Sequence, residues 1–123
     1  MPLTLDENSA SYQIRSYQPG QIQINDKFYQ QSVIITPNTL IDHWQPNTIA
    51  ELSADHLAVI LTLKPAILLI GTGKKQIFPP IEIYGDLINH GIGVEIMDTR
   101  AACRTYNALT AEDRNVVAAL LIK

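Results

Sequence analysis

Apolar and polar positions alternate through the first third of the chain. Tyr12-Gln13-Ile14-Arg15-Ser16-Tyr17 alternates until Pro19-Gly20 interrupts it, and Gln21-Ile22-Gln23-Ile24 alternates again. Asn25-Asp26 makes a two-residue turn into a third stretch, Phe28 through Ile35. A period of two puts Ile22 and Ile24 on one side of a sheet and the glutamines on the other, so this part reads as a β-meander with one buried face. Pro37 and Pro46 bracket Thr39 to Trp44, a candidate further strand.

From Ser53 the period lengthens. Ser53 is a candidate N-cap, and Leu57, Ile60 and Leu61 follow at helical spacing up to Lys64-Pro65, which ends a helix. Ala66-Ile67-Leu68-Leu69-Ile70 is short and continuously apolar, as in a strand covered on both faces. After Gly71-Thr72-Gly73, residues 74–79 read as extended. Pro80 opens a helix carrying Ile81, Tyr84, Leu87 and Ile88, which Asn89-His90-Gly91 stops. Ile92 to Met97 is the next strand. Asp98-Thr99 stands where a cap belongs, ahead of a helix through Leu109 that turns Ala102, Tyr106 and Leu109 inward. Val116 to Ile122 begins with β-branched residues and runs apolar without a break, which favours a buried strand over a helix. The expected fold is α/β: one domain over residues 1–123, a β-meander followed by β-α-β-α-β with a mixed sheet.

Composition narrows the function classes. The chain has 123 residues, 46% apolar and 17% charged, with 9 Lys+Arg against 12 Asp+Glu. That length supports a single core without disulfide or metal, and the net charge of −3 excludes a disordered chain and a general nucleic-acid binder. Residues 1–63 hold two bases against six acids, whereas residues 64–123 hold seven bases against six acids. The single cysteine, Cys103, suits a reducing compartment. No basic or Arg-rich targeting signal is read in Met1-Pro2-Leu3-Thr4-Leu5-Asp6-Glu7, and no apolar run approaches the ~20 residues of a membrane span, so the expected location is cytoplasmic.

The glycine turn Gly71-Thr72-Gly73-Lys74 invites a phosphate-binding reading, but the details fail. A dinucleotide fingerprint needs a third glycine at Gln76 and a helix at once, and a P-loop needs glycine at Leu68 and Ser or Thr at Lys75. A tight turn requiring positive φ accounts for it more simply. If Ala66–Ile70 and Ile92–Met97 are adjacent parallel strands, however, Gly71-Thr72-Gly73 and Asp98-Thr99 share one rim, where α/β sheets hold ligands. Lys74 lies on that rim, and Arg100, Arg104 and Asn107 share one face of the helix that starts there. A small anion or carboxylate site is therefore a candidate, although Asp98 competes for the helix N-terminus as its cap. Cys103 reads as a small buried hydrophobe, because His43, His56 and His90 form no base-and-orienter set with it. No metal-ligand spacing is present, and neither metal nor cofactor is expected.

Three stretches in order are more specific. They are Leu68-Leu69-Ile70-Gly71-Thr72-Gly73; Glu95-Ile96-Met97-Asp98-Thr99; and Ala102-Cys103-Arg104-Thr105-Tyr106-Asn107-Ala108-Leu109, continuing to Glu112-Asp113-Arg114-Asn115-Val116-Val117-Ala118-Ala119-Leu120. Together they resemble a small domain family of unknown biochemical function that includes the mitochondrial complex I (NADH:ubiquinone oxidoreductase) assembly factor 3 and many bacterial and archaeal proteins. The resemblance implies a one-domain fold with a β layer packed on a central mixed sheet and helices opposite. It implies no catalytic residues. It gives Tyr106, Glu112 and Arg114 structural roles, with Arg104 a candidate partner for Glu112. The function expected on this basis is a non-enzymatic binding or assembly module whose partner is another protein, either as monomer or dimer. The alternative is a small anion- or carboxylate-binding protein using the rim.

Overall fold

The computed structural model describes residues 10–123. The meander forms a small antiparallel sheet of β1 (Ile14–Gln18), β2 (Gln21–Ile24) and β3 (Lys27–Tyr29). Asn25 takes a φ of 53° at its second turn, as a two-residue hairpin loop requires. A register shift between Ile14 and Ser16 bends β1.

The stretch read as one strand from Phe28 to Ile35 is divided. The chain leaves the small sheet after Tyr29 and re-enters a second sheet as β4 (Val33–Ile35), whose three side chains are all buried. Phe28 stays on the surface at 57% exposure. Sequence pattern cannot separate two such pieces, because both are β-like; burial on both faces separates them. Of Thr39–Trp44 only β5 (Leu40–Ile41) is strand, and Trp44 instead turns inward, its indole N–H donating to the His56 carbonyl at 3.0 Å.

The helix expected from Ser53 comes in two parts. A 3-10 turn at Ala54–Leu57 leads into α1 (Ala58–Leu63), and Lys64 closes it in the left-handed conformation. Then follow β6 (Ile67–Gly71), α2 (Ile81–Asn89) with Pro80 as its N-cap, β7 (Gly93–Met97), α3 (Thr99–Ala111) and β8 (Val116–Leu120).

The larger sheet is mixed, in the order β5-β4-β8-β6-β7. Strands β6, β7 and β8 run parallel, and β4 runs antiparallel to β8 and to β5. The last strand in sequence thus lies at the centre. Alternate side chains of this sheet feed two cores. One holds Leu69, Ala118 and Leu120 against Ile22 and Ile24 of the meander and Ala102 and Tyr106 of α3. The other holds Leu68, Ile70 and Ala119 against Ile60 of α1 and Leu87 of α2. Helices α1 and α2 stand opposite the meander, while α3 shares the meander's face.

Candidate functional site

Because β6 and β7 are adjacent and parallel, with Gly71 opposite Met97, their carboxyl ends form one rim. The glycine turn and the front of α3 meet on it. Gly73 N–H donates to Thr99 Oγ1 at 2.8 Å, and Thr99 N–H donates to the Gly73 carbonyl at 2.9 Å. Thr99 Oγ1 in turn donates to the Leu121 carbonyl at 2.7 Å, and Leu121 N–H donates to the Gly71 carbonyl at 3.0 Å. A Cβ on Gly71 would lie 2.9 Å from Thr99 Oγ1, and one on Gly73 would overlap the Lys123 carbonyl oxygen. Both glycines are there for close approach, and Gly73 also for its φ of +96°.

Most of the donors an anion would use at this turn are already engaged. Thr72 N–H donates to the Met97 carbonyl, and its hydroxyl donates to the Lys75 carbonyl while accepting from Ile77 N–H. At the front of α3, Asp98 Oδ1 accepts from Ala101 N–H at 2.8 Å, so the cap occupies the helix N-terminus with its own carboxylate. Gly71, Thr72, Gly73 and Thr99 thus act as a buried latch between β6, α3 and the chain beyond β8.

The charged candidates stand outside the latch. Lys74, Asp98 and Arg100 line an open cleft of about 260 Å³ with Gly73, Tyr17 and Pro19. Arg100, Arg104, Cys103 and Asn107 line an adjoining depression of about 190 Å³ with Arg15 and Tyr17. The Arg100 guanidinium sits 5.6 Å from the centre of the Tyr17 ring, close enough for a cation–π contact. Asn107 is a clamp: its Nδ2 donates to the Ile14 carbonyl at 2.7 Å, and Ile14 N–H donates to its Oδ1 at 3.1 Å. Tyr106 is buried and donates to the Tyr12 carbonyl at 2.9 Å. Glu112 forms its ion pair with Arg114 at 4.0 Å, on the surface, in place of the Arg104 pairing considered from the sequence.

Residues 14–121, carrying both the latch and the clamp, match the family described as "Protein of unknown function (DUF498/DUF598)". The chain belongs to that family. It is 33% identical over 117 residues to the "13 kDa major membrane protein" of Francisella tularensis, covering 94% of this chain and 95% of that protein. It is 32% identical over 117 residues to the zebrafish (Danio rerio) "NADH dehydrogenase [ubiquinone] 1 alpha subcomplex assembly factor 3", covering 94% of this chain and 67% of the relative. A Bordetella pertussis protein solved in solution and described as a Mth938-like domain superposes with a TM-score of 0.82 at 30% identity, covering 99% of this chain and 92% of that one.

In this DUF498/DUF598 chain Cys103 is buried, and burial pushes its thiol up to about 12, with Arg100 opposing the shift. At neutral pH it is a protonated thiol, unsuited to nucleophilic attack. Among the described residues no His, Cys, Asp and Glu group has the arrangement of a metal site, and no helix is long and apolar enough to cross a membrane.

Two features escaped the sequence pattern. A wider cleft of about 450 Å³ opens at the other end of the parallel strands, bordered by Thr36, Asn38, Asp113 and Arg114. A series of exposed apolar side chains also follows the latch in sequence: Ile77, Phe78, Ile81 and Ile88 are 45%, 66%, 54% and 46% exposed. The signal for them was the run Ile77-Phe78-Pro79-Pro80-Ile81, apolar yet outside any strand, its prolines unable to donate to a ladder.

Proposed function

We propose that this chain is an assembly-type, protein-binding module without catalytic activity. The observation that carries the reading is the alignment with an assembly factor, at 32% identity across 94% of the chain and 67% of the relative. The geometry supports it from the other side. Most of the rim's polar groups are engaged in the latch, Cys103 is held protonated, and what faces outward includes the cations Lys74, Arg100 and Arg104 and several exposed apolar side chains. Surfaces of that kind bind macromolecules. Co-purification of the tagged chain from its native cells at low salt tests the reading. One or a few proteins enriched stoichiometrically is the expected result; enrichment no greater than from an unrelated domain of equal size overturns it.

A second reading has one specific observation in its favour, the meeting of Lys74 and Arg100 in the cleft of about 260 Å³ beside the latch. A small carboxylate or phosphate would bind there through the two side chains, against the repulsion of Asp98. A thermal-shift screen of nucleotides, phosphates and carboxylates decides it, because a ligand at 100 times its Kd stabilises by about 2.7 kcal/mol. A melt that none of them moves removes this reading and leaves the first.

A further inference from the structure

Among the described residues the larger sheet ends at β7, which pairs there only with β6. The direction in which each β7 peptide group points follows from two hydrogen bonds at its ends. Gly93 N–H donates to the Ala66 carbonyl and Thr72 N–H donates to the Met97 carbonyl. In a parallel ladder alternate residues turn both polar groups to the neighbour. Gly93, Glu95 and Met97 therefore face β6, while Val94 and Ile96 turn their N–H and C=O groups outward. Of these outward groups only the Ile96 carbonyl has a partner among the described residues, accepting from Gln76 Nε2 at 3.0 Å. Val94 N–H, Val94 C=O and Ile96 N–H form an open strip of strand edge.

The strip has apolar and charged borders. The chain supplying Gln76 continues directly into the exposed Ile77 and Phe78. The Val94 and Ile96 side chains are half-buried against the core that α2 covers. Glu95 points to the other face, exposed and without an ion-pair partner among the described residues. An added strand lying beside β7 would place alternate side chains next to these two faces.

Glu95 also selects the occupant. A second copy of the chain, pairing antiparallel so that Val94 and Ile96 of both copies are used, sets Glu95 directly opposite its own image, and like charges so placed are destabilising. A different segment with a cationic side chain at that position gains from the same carboxylate.

We infer that the outer edge of β7 receives an extended segment of a partner protein as a sixth strand, its apolar residues beside Val94 and Ile96 and a Lys or Arg against Glu95. This rests on the protein-binding reading above and specifies the partner's element and charge.

The test places a photo-cross-linking amino acid at Phe78, at Glu95 and, on the α3 face, at Arg104, in the full chain expressed in its native cells. The expected result is that Phe78 and Glu95 cross-link to one contiguous segment of a single protein, and that this segment contains Lys or Arg. A synthetic peptide of that sequence then slows hydrogen exchange of the Val94 and Ile96 amides at least tenfold in the purified protein. Two variants complete it. Val94→Pro removes an outward N–H without touching the β6 ladder, and Glu95→Lys reverses the charge; each weakens the peptide at least tenfold. Should Val94→Pro fail to fold, the surface substitution Glu95→Lys carries the comparison. Cross-links from Phe78 and Glu95 to this chain itself, or peptide binding that leaves Val94 and Ile96 exchange unchanged, overturn the inference. Capture through Arg104 alone overturns it while leaving the protein-binding reading intact. Capture from none of the three positions removes both.

Discussion

Gly73 and Thr99 hold each other twice, each donating one hydrogen bond to the other at 2.8 and 2.9 Å, across a separation of 26 residues. The pairing joins the end of β6 to the first residue of α3. Through Thr99 Oγ1 and the Leu121 carbonyl it also ties in the chain just beyond β8. A threonine hydroxyl that both accepts and donates in a fully buried position is hard to replace.

Thr99→Val keeps the shape and removes both hydroxyl bonds. It leaves Gly73 N–H and the Leu121 carbonyl without that partner, at an expected cost of about 2–4 kcal/mol. Thr99→Ser keeps the hydroxyl and costs about 1 kcal/mol for the lost methyl. Urea denaturation of both variants measures the difference; equal midpoints would remove the latch as a source of stability.

Gly73→Ala and Gly20→Ala separate close approach from backbone conformation. Both glycines have positive φ, +96° and +90°, but a Cβ at Gly20 meets nothing within 4 Å whereas at Gly73 it meets the Lys123 carbonyl oxygen. Gly20→Ala is expected to cost about 1–2 kcal/mol, the left-handed penalty alone. Gly73→Ala should cost clearly more and shift the amide resonances of residues 121–123.

Alkaline pH should destabilise the protein. The Cys103 thiol ionises near 9 in an unfolded chain and at about 12 when folded, because burial disfavours the thiolate. The unfolded state loses its proton first, so this contribution is complete below about pH 9 and is lost as pH climbs toward 12. Burial pushes Tyr106 and Tyr17 upward too, adding to the loss. The urea midpoint is expected to fall from about pH 8 to about pH 11, less steeply in Cys103→Ala. Iodoacetamide at about pH 8 should label the denatured thiol at least tenfold faster than the native one.

Asn107→Ala should loosen β1 from α3. The Ile14 N–H and C=O both lose their side-chain partner in a part-buried setting, at about 1–3 kcal/mol. Hydrogen exchange at Ile14 should rise more than exchange in β8. Arg104→Ala, on the exposed side of the same helix, is expected to change stability by no more than about 0.5 kcal/mol.

The parts legible in the sequence are those set by local pattern. Asp98 caps α3, Ala102 and Tyr106 turn inward, and β-branched Val116-Val117 marks β8 as strand. The meeting of Gly71-Thr72-Gly73 with Asp98-Thr99 was legible too, because short parallel strands ending together bring their following loops to one rim. What was not legible depends on partners far along the chain. Nothing near Asn107 announces that it serves Ile14, 93 residues away. The division of Phe28–Ile35 between two sheets turns on what each half packs against. That β7 is an edge strand depends on strand order, which no local window contains. At the rim, the residue types fitted an anion site, and only the hydrogen bonds reveal that most of its donors already serve the latch.

The position of β8 has a consequence for biosynthesis. It is inserted between β4 and β6, yet it is made after both. While residues 116–120 are still inside the ribosome, β4 and β6 have no neighbour to join them, and their apolar side chains await a shared centre. The sheet can therefore close only once β8 has emerged, and a nascent chain stalled before Val116 leaves the flanks of β4 and β6 bare, the kind of exposed apolar edge that favours aggregation.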